Sequence, residues 1–209
     1  MLPEADTADI APKDDSTIHL DYRDEKSWSL FNKYCYIVFT CKLNCPQSAE
    51  RLSQKLKHKK KIILLSTAKA FTTSTAGETI NENFRLDASL RNSAESQFLP
   101  FASILHLGLI WGQNRIAEKW LKSGKIKNGN KLVNFIHVDD LCQIIICLLK
   151  QEEQHGRLLV SDGQPVQWHS LAERYDIKLA CSECGPESKK IDNHKLLSLL
   201  PHDFQFTLP

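Results

Sequence analysis

Short β-branched and aromatic runs alternate with helical stripes along most of this chain, and that alternation restricts its fold more than any other feature. Tyr34 to Cys41 and Ile62 to Leu65 have the length and composition of buried strands, as do Ser103 to Ile110 and Gly156 to Ser161. Between them lie helical repeats. Ala49, Leu52 and Leu56 follow Pro46, a residue suited to the first turn of a helix. Leu86, Leu90, Ala94 and Phe98 recur every fourth position. Leu141, Ile144, Ile145, Leu148 and Leu149 form the stripe of a helix laid on a core, with Asp139 and Asp140 at its positive end. Strands that alternate with helices imply an α/β fold with a mainly parallel sheet of five or six strands and flanking helices.

Smaller signals fill the gaps. Thr17 to Asp21 is a brief β-type run ending in an acid, and Ser27 is placed to cap a short helix carrying Trp28 and Phe31. Thr72 to Thr79 and Lys122 to Lys131 read as polar loops. Ile116 and Trp120 share a helix face, Val166 to Tyr175 reads as helical, and Asn193 to Leu200 is a short helix stopped by Pro201. Met1 to Ser16 has no periodicity and reads as a flexible tail. The expected organisation is a tail over 1–16, a main domain over 17–150, and a strand and helix region over 151–209 packed on that same domain.

Bulk properties exclude several classes. The 209 residues are 42% hydrophobic and 25% charged with a net charge of +2, a balance that argues against a nucleic-acid or anionic-membrane partner. The N-terminus has neither an apolar core nor the charge pattern of a targeting peptide, and no apolar run approaches the ~20 residues that span a bilayer. Seven cysteines without a secretory signal imply reduced thiols and a cytoplasmic location. Lys55, Lys57, His58, Lys59, Lys60 and Lys61 form either an anion-binding patch or a helix C-terminus facing its own dipole. Cys181-Ser-Glu-Cys184 has the spacing of two zinc ligands, with Cys41 and Cys45 as the other pair, or else holds two ordinary loop thiols.

Two motifs suggest a lineage. Gly108-Leu-Ile-Trp-Gly112-Gln-Asn-Arg115 ends a strand, and Ile136-His-Val-Asp-Asp-Leu141 opens a helix. Together, in that order, they resemble the extended short-chain dehydrogenase/reductase superfamily of the NAD-dependent epimerase/dehydratase type. The resemblance runs from about Thr17 to the C-terminus and implies roles by position. Asp21, with Asp24, matches the acids near the adenine. Thr40 ends the strand that passes the nicotinamide ribose, and Arg91 falls near the slot of the ribose-binding lysine. Ser66 inherits a contact to the substrate oxygen, and Glu82 matches an acid that follows. His137 lines the substrate cleft or orders its loop by hydrogen bonding. Arg115 is placed to bind a substrate anion, and Asp140 reads as a helix cap. His106 stands in an arginine slot without an evident role, and Trp111 fills a tyrosine slot as packing.

The chain also departs from that family. A tyrosinate and a fixed cation carry its chemistry, yet the tyrosine slot falls near Asp87, whose ordinary pKa of ~3.9 cannot replace a phenol's ~10. Tyr22 to Lys26 repeats the Tyr-x-x-x-Lys spacing in the wrong part of the fold. No glycine precedes Gly77, so the phosphate-binding glycine turn is not among these 209 residues. The resemblance therefore implies an incomplete Rossmann-like domain with a small C-terminal substrate-side region. NAD or NADP binding is expected to be weak or absent, with no redox turnover. Two alternatives stay open: an active oxidoreductase or epimerase whose first segment lies upstream of Met1, or a non-enzymatic protein that uses an exposed sheet edge to bind a partner or itself. Without the family's first two strands, Thr17 to Asp21 is expected to pair directly with Tyr34 to Cys41 or to stay loose.

Overall fold

The computed structural model describes residues 6–9, 17–58 and 61–209. Of the expected tail, residues 1–5 and 10–16 lie outside that range, as do Lys59 and Lys60 of the basic run. Strand β1 (Ala8–Asp9) pairs in parallel with β2 (Ile18–His19). The β2 strand thus takes a partner that the sequence pattern had not suggested, rather than Tyr34 to Cys41. A 3-10 helix, Glu25–Lys33, follows and buries Trp28 and Phe31. Asp24 caps it, accepting from the Lys26 amide at 3.0 Å. Ser27, the expected cap, instead donates its hydroxyl to the carbonyls of Asp21 and Asp24.

Strand β3 (Tyr36–Phe39) leads through helix α1 (Pro46–Leu56) to β4 (Lys61–Thr67), and the two strands pair in parallel from Tyr36 opposite Lys61 to Phe39 opposite Leu64. Pro46 takes the first turn of α1, where its missing N–H costs no helical bond. After β5 (Thr79–Ile80), helix α2 (Leu90–Ser96) begins one turn later than the apolar spacing implied. The Ser89 hydroxyl accepts from the Asn92 amide and starts it there, while Leu86 pairs with Phe71 in an antiparallel bridge. The expected single strand over Ser103 to Ile110 is broken into β6 (Ser103–Leu107) and β7 (Leu109–Trp111). Then come α3 (Ala117–Lys122), β8 (Leu132–Val133), β9 (Phe135–His137), α4 (Val138–Lys150) and β10 (Gly156–Val160). The expected helix over Val166 to Tyr175 divides into β11 (Val166–Gln167) and α5 (Trp168–Glu173), ahead of β12 (Lys190–Ile191) and α6 (His194–Leu197).

The architecture is α/β with a mainly parallel sheet and flanking helices. The main sheet has four strands in the order β10-β6-β4-β3, fewer than expected because β2 pairs with β1 instead; beyond the break at Gly108, β7 pairs in parallel with β9. The remaining pairs are β12 with β5, parallel, and β11 with β8, antiparallel.

The chain divides into two compact units, the first made of residues 1–65, 88–104 and 151–156, the second of 66–87, 105–150 and 157–209. The first is built on Leu52, Leu56, Ile62, Leu64 and Phe98, with Phe39 tilted against Phe31 and Phe98 at centroid distances of 5.8 and 5.9 Å. Lys61 opens β4 buried, its ammonium donating to the Glu153 carbonyl; desolvation pushes its pKa down. The second unit holds Phe135 and Trp168 edge to face at 5.8 Å, and a smaller cluster of Phe71, Ile80, Leu159 and Ile191. On α4 the buried line is Leu141, Ile144 and Leu148, while Ile145 and Leu149 are only half-buried. The apolar stripe is thus narrower at depth than its five residues implied.

Candidate functional site

The Gly108 to Leu141 motifs converge in the second unit. A side chain at Gly108 would run into the Asn134 carbonyl, which accepts from the Leu109 amide at 2.7 Å, so β7 can lie close to β9 only with glycine there. Gly112 sits at φ +117, and a Cβ on it would stand 2.6 Å from His137 Nε2. Gly112 and Arg115 exchange backbone hydrogen bonds of 3.1 and 2.8 Å, closing the turn that leads into α3. His137 lies edge-on to Trp111 at 4.6 Å, and its Nδ1 accepts from the Asp139 amide at 3.3 Å. The same Nδ1 lies 3.7 Å from an Asp139 carboxylate oxygen, and Nε2 faces the Gly112 backbone. His137 and Arg115 are therefore gathered around one glycine turn, with the Arg115 side chain exposed. Ser66 is buried on β4; beside it the Thr67 carbonyl faces His106 Nδ1 at 3.4 Å. His106 is itself buried edge-on to Phe71 at 4.8 Å, which gives the residue in the arginine slot a packing role.

Asp21, Thr40 and Arg91 lie in the first unit. Asp21 accepts from Arg23 through both carboxylate oxygens at 2.8 to 3.1 Å, and these bonds hold its carboxyl below the usual range. Thr40 is exposed just past β3. Arg91 donates Nε to Glu95 at 2.6 Å and Nη2 to the Leu65 carbonyl at 2.8 Å. Its guanidinium ties α2 to β4, and the Glu95 side chain it pairs with is only 4% exposed.

Several residues of the second unit have partners that the sequence did not reveal. Asp140 is buried and does not act as the expected cap. Its carboxylate accepts the Thr207 amide at 2.7 Å and the Thr207 hydroxyl at 3.1 Å, anchoring a segment 67 residues away. Asp162, which read only as a turn residue, is 6% exposed after β10. One of its oxygens accepts from the Gln164 amide at 2.9 Å and the other meets no partner; burial, and secondarily the nearby Asp140, raise its pKa to about 6. Lys189 is buried, with its ammonium on the Phe71 carbonyl, and desolvation lowers its pKa. Glu82 accepts from the Leu159 amide at 2.9 Å, so the acid noted in the sequence serves β10. For Asp162 the Asp-Gly pair at 162 and 163 signalled a turn rather than a buried carboxyl, and nothing in the sequence marked Lys189.

The second unit also carries a cleft of ≈ 370 Å³ lined by residues of four segments, among them Gly77, Asn130, Gln167, Cys184 and Ser188. The Asn130 carbonyl accepts from Gln167 Nε2 at 3.3 Å. All seven cysteines are free, and among the described residues no group of three or more His, Cys, Asp or Glu side chains is placed to hold a metal. Among the same residues, no helix is long and apolar enough to cross a membrane.

No family model matches the chain, and no curated protein matches it in sequence. Solved structures do. MoeE5 in complex with UDP-glucose and NAD superposes with a TM-score of 0.71 at 14% identity, over 97% of this chain and 85% of that one. The Bordetella bronchiseptica enzyme WbmG in complex with NAD gives 0.72 at 14% identity, over 95% and 76%. dTDP-glucose 4,6-dehydratase from Bacillus anthracis in complex with NAD gives 0.70 at 14% identity, over 92% and 74%. The chain has the Rossmann-like α/β fold of these NAD-dependent epimerase/dehydratase-type enzymes.

Proposed function

We propose that this chain is a relative of the NAD-dependent epimerases and dehydratases that keeps the substrate-side turn and carries out no redox turnover of its own. The observation that supports this reading is the state of Arg91. In the slot where a mobile cation would lower a tyrosine pKa and hold a ribose, a guanidinium is bound on two sides, by Glu95 and by the Leu65 carbonyl. Four residues earlier stands Asp87, which has no phenol to offer. Asp21 is likewise engaged by Arg23. The residues present thus fit a dinucleotide poorly.

The glycine turn that gathers Arg115 and His137 is the retained part. Arg115 would meet an anionic substituent bidentately, and His137 stands at the same glycine turn. Since the solved neighbours hold UDP-glucose or UDP-glucuronic acid, a sugar nucleotide is the first small molecule to offer this turn. The test is incubation of the chain with NAD and UDP-glucose, following absorbance of reduced nicotinamide and sugar products by NMR. Neither should form, and product above the uncatalysed background would refute the reading.

A second reading, an interaction protein, is favoured by one observation. Strand β3 ends the main sheet, and its Tyr36 is 39% exposed. A short apolar edge of this kind recruits another strand, from a partner or a second copy of the chain.

A further inference from the structure

The loop over 177–185 contains no helix or strand, and two of its side chains are thiols. Its first part is tied by the Gly129 amide to the Ala180 carbonyl at 2.7 Å, and Asn130 Nδ2 reaches the Ser182 carbonyl at 3.2 Å. Asn128 Nδ2 lies 3.2 Å from the Ser182 carbonyl, 3.2 Å from the Glu183 carbonyl and 3.4 Å from the Cys184 sulfur. Asn128 Oδ1 accepts the Ser182 amide at 3.2 Å. Residues 182–184 therefore curl around one amide group. The next residue, Gly129, has no side chain, and that vacancy receives Cys181: a Cβ on Gly129 would stand 3.1 Å from the Cys181 sulfur. The two thiols thus flank adjacent residues, Asn128 and Gly129. Cys181 is exposed, and Cys184, half-buried, lines the ≈ 370 Å³ cleft.

We propose that Cys181 and Cys184 form a redox-modifiable dithiol that closes to an intramolecular disulfide and thereby reshapes the cleft wall. Three residues apart on an irregular curled loop, they lie within the reach of a turn, and no regular backbone hydrogen bonding must break to bring the sulfurs together. The oxidant is a low-molecular-weight disulfide such as oxidised glutathione. Cys184, as thiolate, attacks one glutathione sulfur, breaking its S–S bond and releasing one glutathione thiolate, while the Asn128 N–H faces the reacting sulfur. Cys181, deprotonated in turn, attacks Cys184 in the mixed disulfide and releases the second glutathione. Two protein thiols are oxidised and one glutathione disulfide is reduced to two thiols. Closure draws in Ser182, Glu183 and Cys184, which together form one wall of the cleft. This proposal does not depend on the catalytic reading above.

The test treats the reduced full chain with oxidised glutathione, blocks residual thiols by alkylation and maps peptides by mass spectrometry. Wild type should yield the Cys181–Cys184 disulfide with little glutathione retained. Cys181→Ser should trap glutathione on Cys184 at about tenfold higher occupancy, because the internal resolving thiol is gone. Cys35 and Cys142, exposed but without a partner three residues away, serve as references, and unchanged melting of Cys181→Ser shows that the fold is intact. Equal glutathione occupancy on Cys184 in wild type and variant would overturn the proposal. So would oxidation of Cys181 and Cys184 no faster than of Cys35 and Cys142.

Discussion

Arg91 Nε lies 2.6 Å from the Glu95 carboxylate, one helical turn away, and the second arm of the guanidinium reaches the Leu65 carbonyl at 2.8 Å. The guanidinium thereby fastens helix α2 to strand β4. Removing one partner of a buried pair leaves the other charge without compensation. Arg91→Ala should therefore cost about 3 kcal/mol in thermal or urea unfolding, and Glu95→Gln in that background should recover much of the loss. Arg91→Lys, which keeps the charge but not the fork, should fall between them. An Arg91→Ala variant as stable as wild type would show the pair to be dispensable.

Asp162 makes stability depend on pH in an unusual direction. Its folded pKa of about 6 stands above the ordinary 3.8, so the folded protein favours the neutral acid. The stabilising contribution is present at low pH and is lost as pH rises from about 4 through 6, at most about 3 kcal/mol in total. Asp162→Asn, which retains an oxygen for the Gln164 amide, should melt higher than wild type at pH 8 and show little difference at pH 4. Melting curves at the two pH values check this, and a variant less stable than wild type at pH 8 would contradict it.

On α4, Ile144 is fully buried and Ile145 only half-buried. Ile144→Asp should prevent folding, since it places an unpaired carboxylate in the core, whereas Ile145→Asp should leave a folded, less stable protein. Circular dichroism of the two variants decides. If Ile145→Asp were the one that failed to fold, the assigned face of α4 would be wrong.

The parts of this fold that could be read from the residues are those set by local pattern. The short β-branched and aromatic runs located β3 and β4, the helical spacing located α1 and α4, and Pro46 marked the start of a helix because a missing N–H is tolerated there. The Gly112 turn was legible because its glycine is demanded by a close approach to His137. What stayed hidden depends on partners distant in the chain. Asp140 looked like a cap and binds Thr207, and Arg91 looked like a cation for a ligand and binds Glu95 and Leu65. The apolar positions Leu86 to Phe98 implied one longer helix, but Ser89 starts it at Leu90 and leaves that leucine 65% exposed.

The β3 edge should show itself in solution. If Tyr36 to Phe39 recruit a second copy, sedimentation should report a concentration-dependent dimer, and Tyr36→Lys should shift it toward monomer by placing a charge on the edge. A chain that stays monomeric at high concentration, with fast amide exchange across Tyr36 to Phe39, would rule out self-pairing through this strand.

The most direct test of the central claim is calorimetric titration of the 209-residue chain with NAD, NADH, NADP and NADPH. The account predicts no saturable binding of any of the four below about 1 mM, equivalent to less than about 4 kcal/mol. Binding of any of them near 1 µM, lost when Arg91 or Asp21 is replaced, would contradict the account and place a working dinucleotide site on this chain.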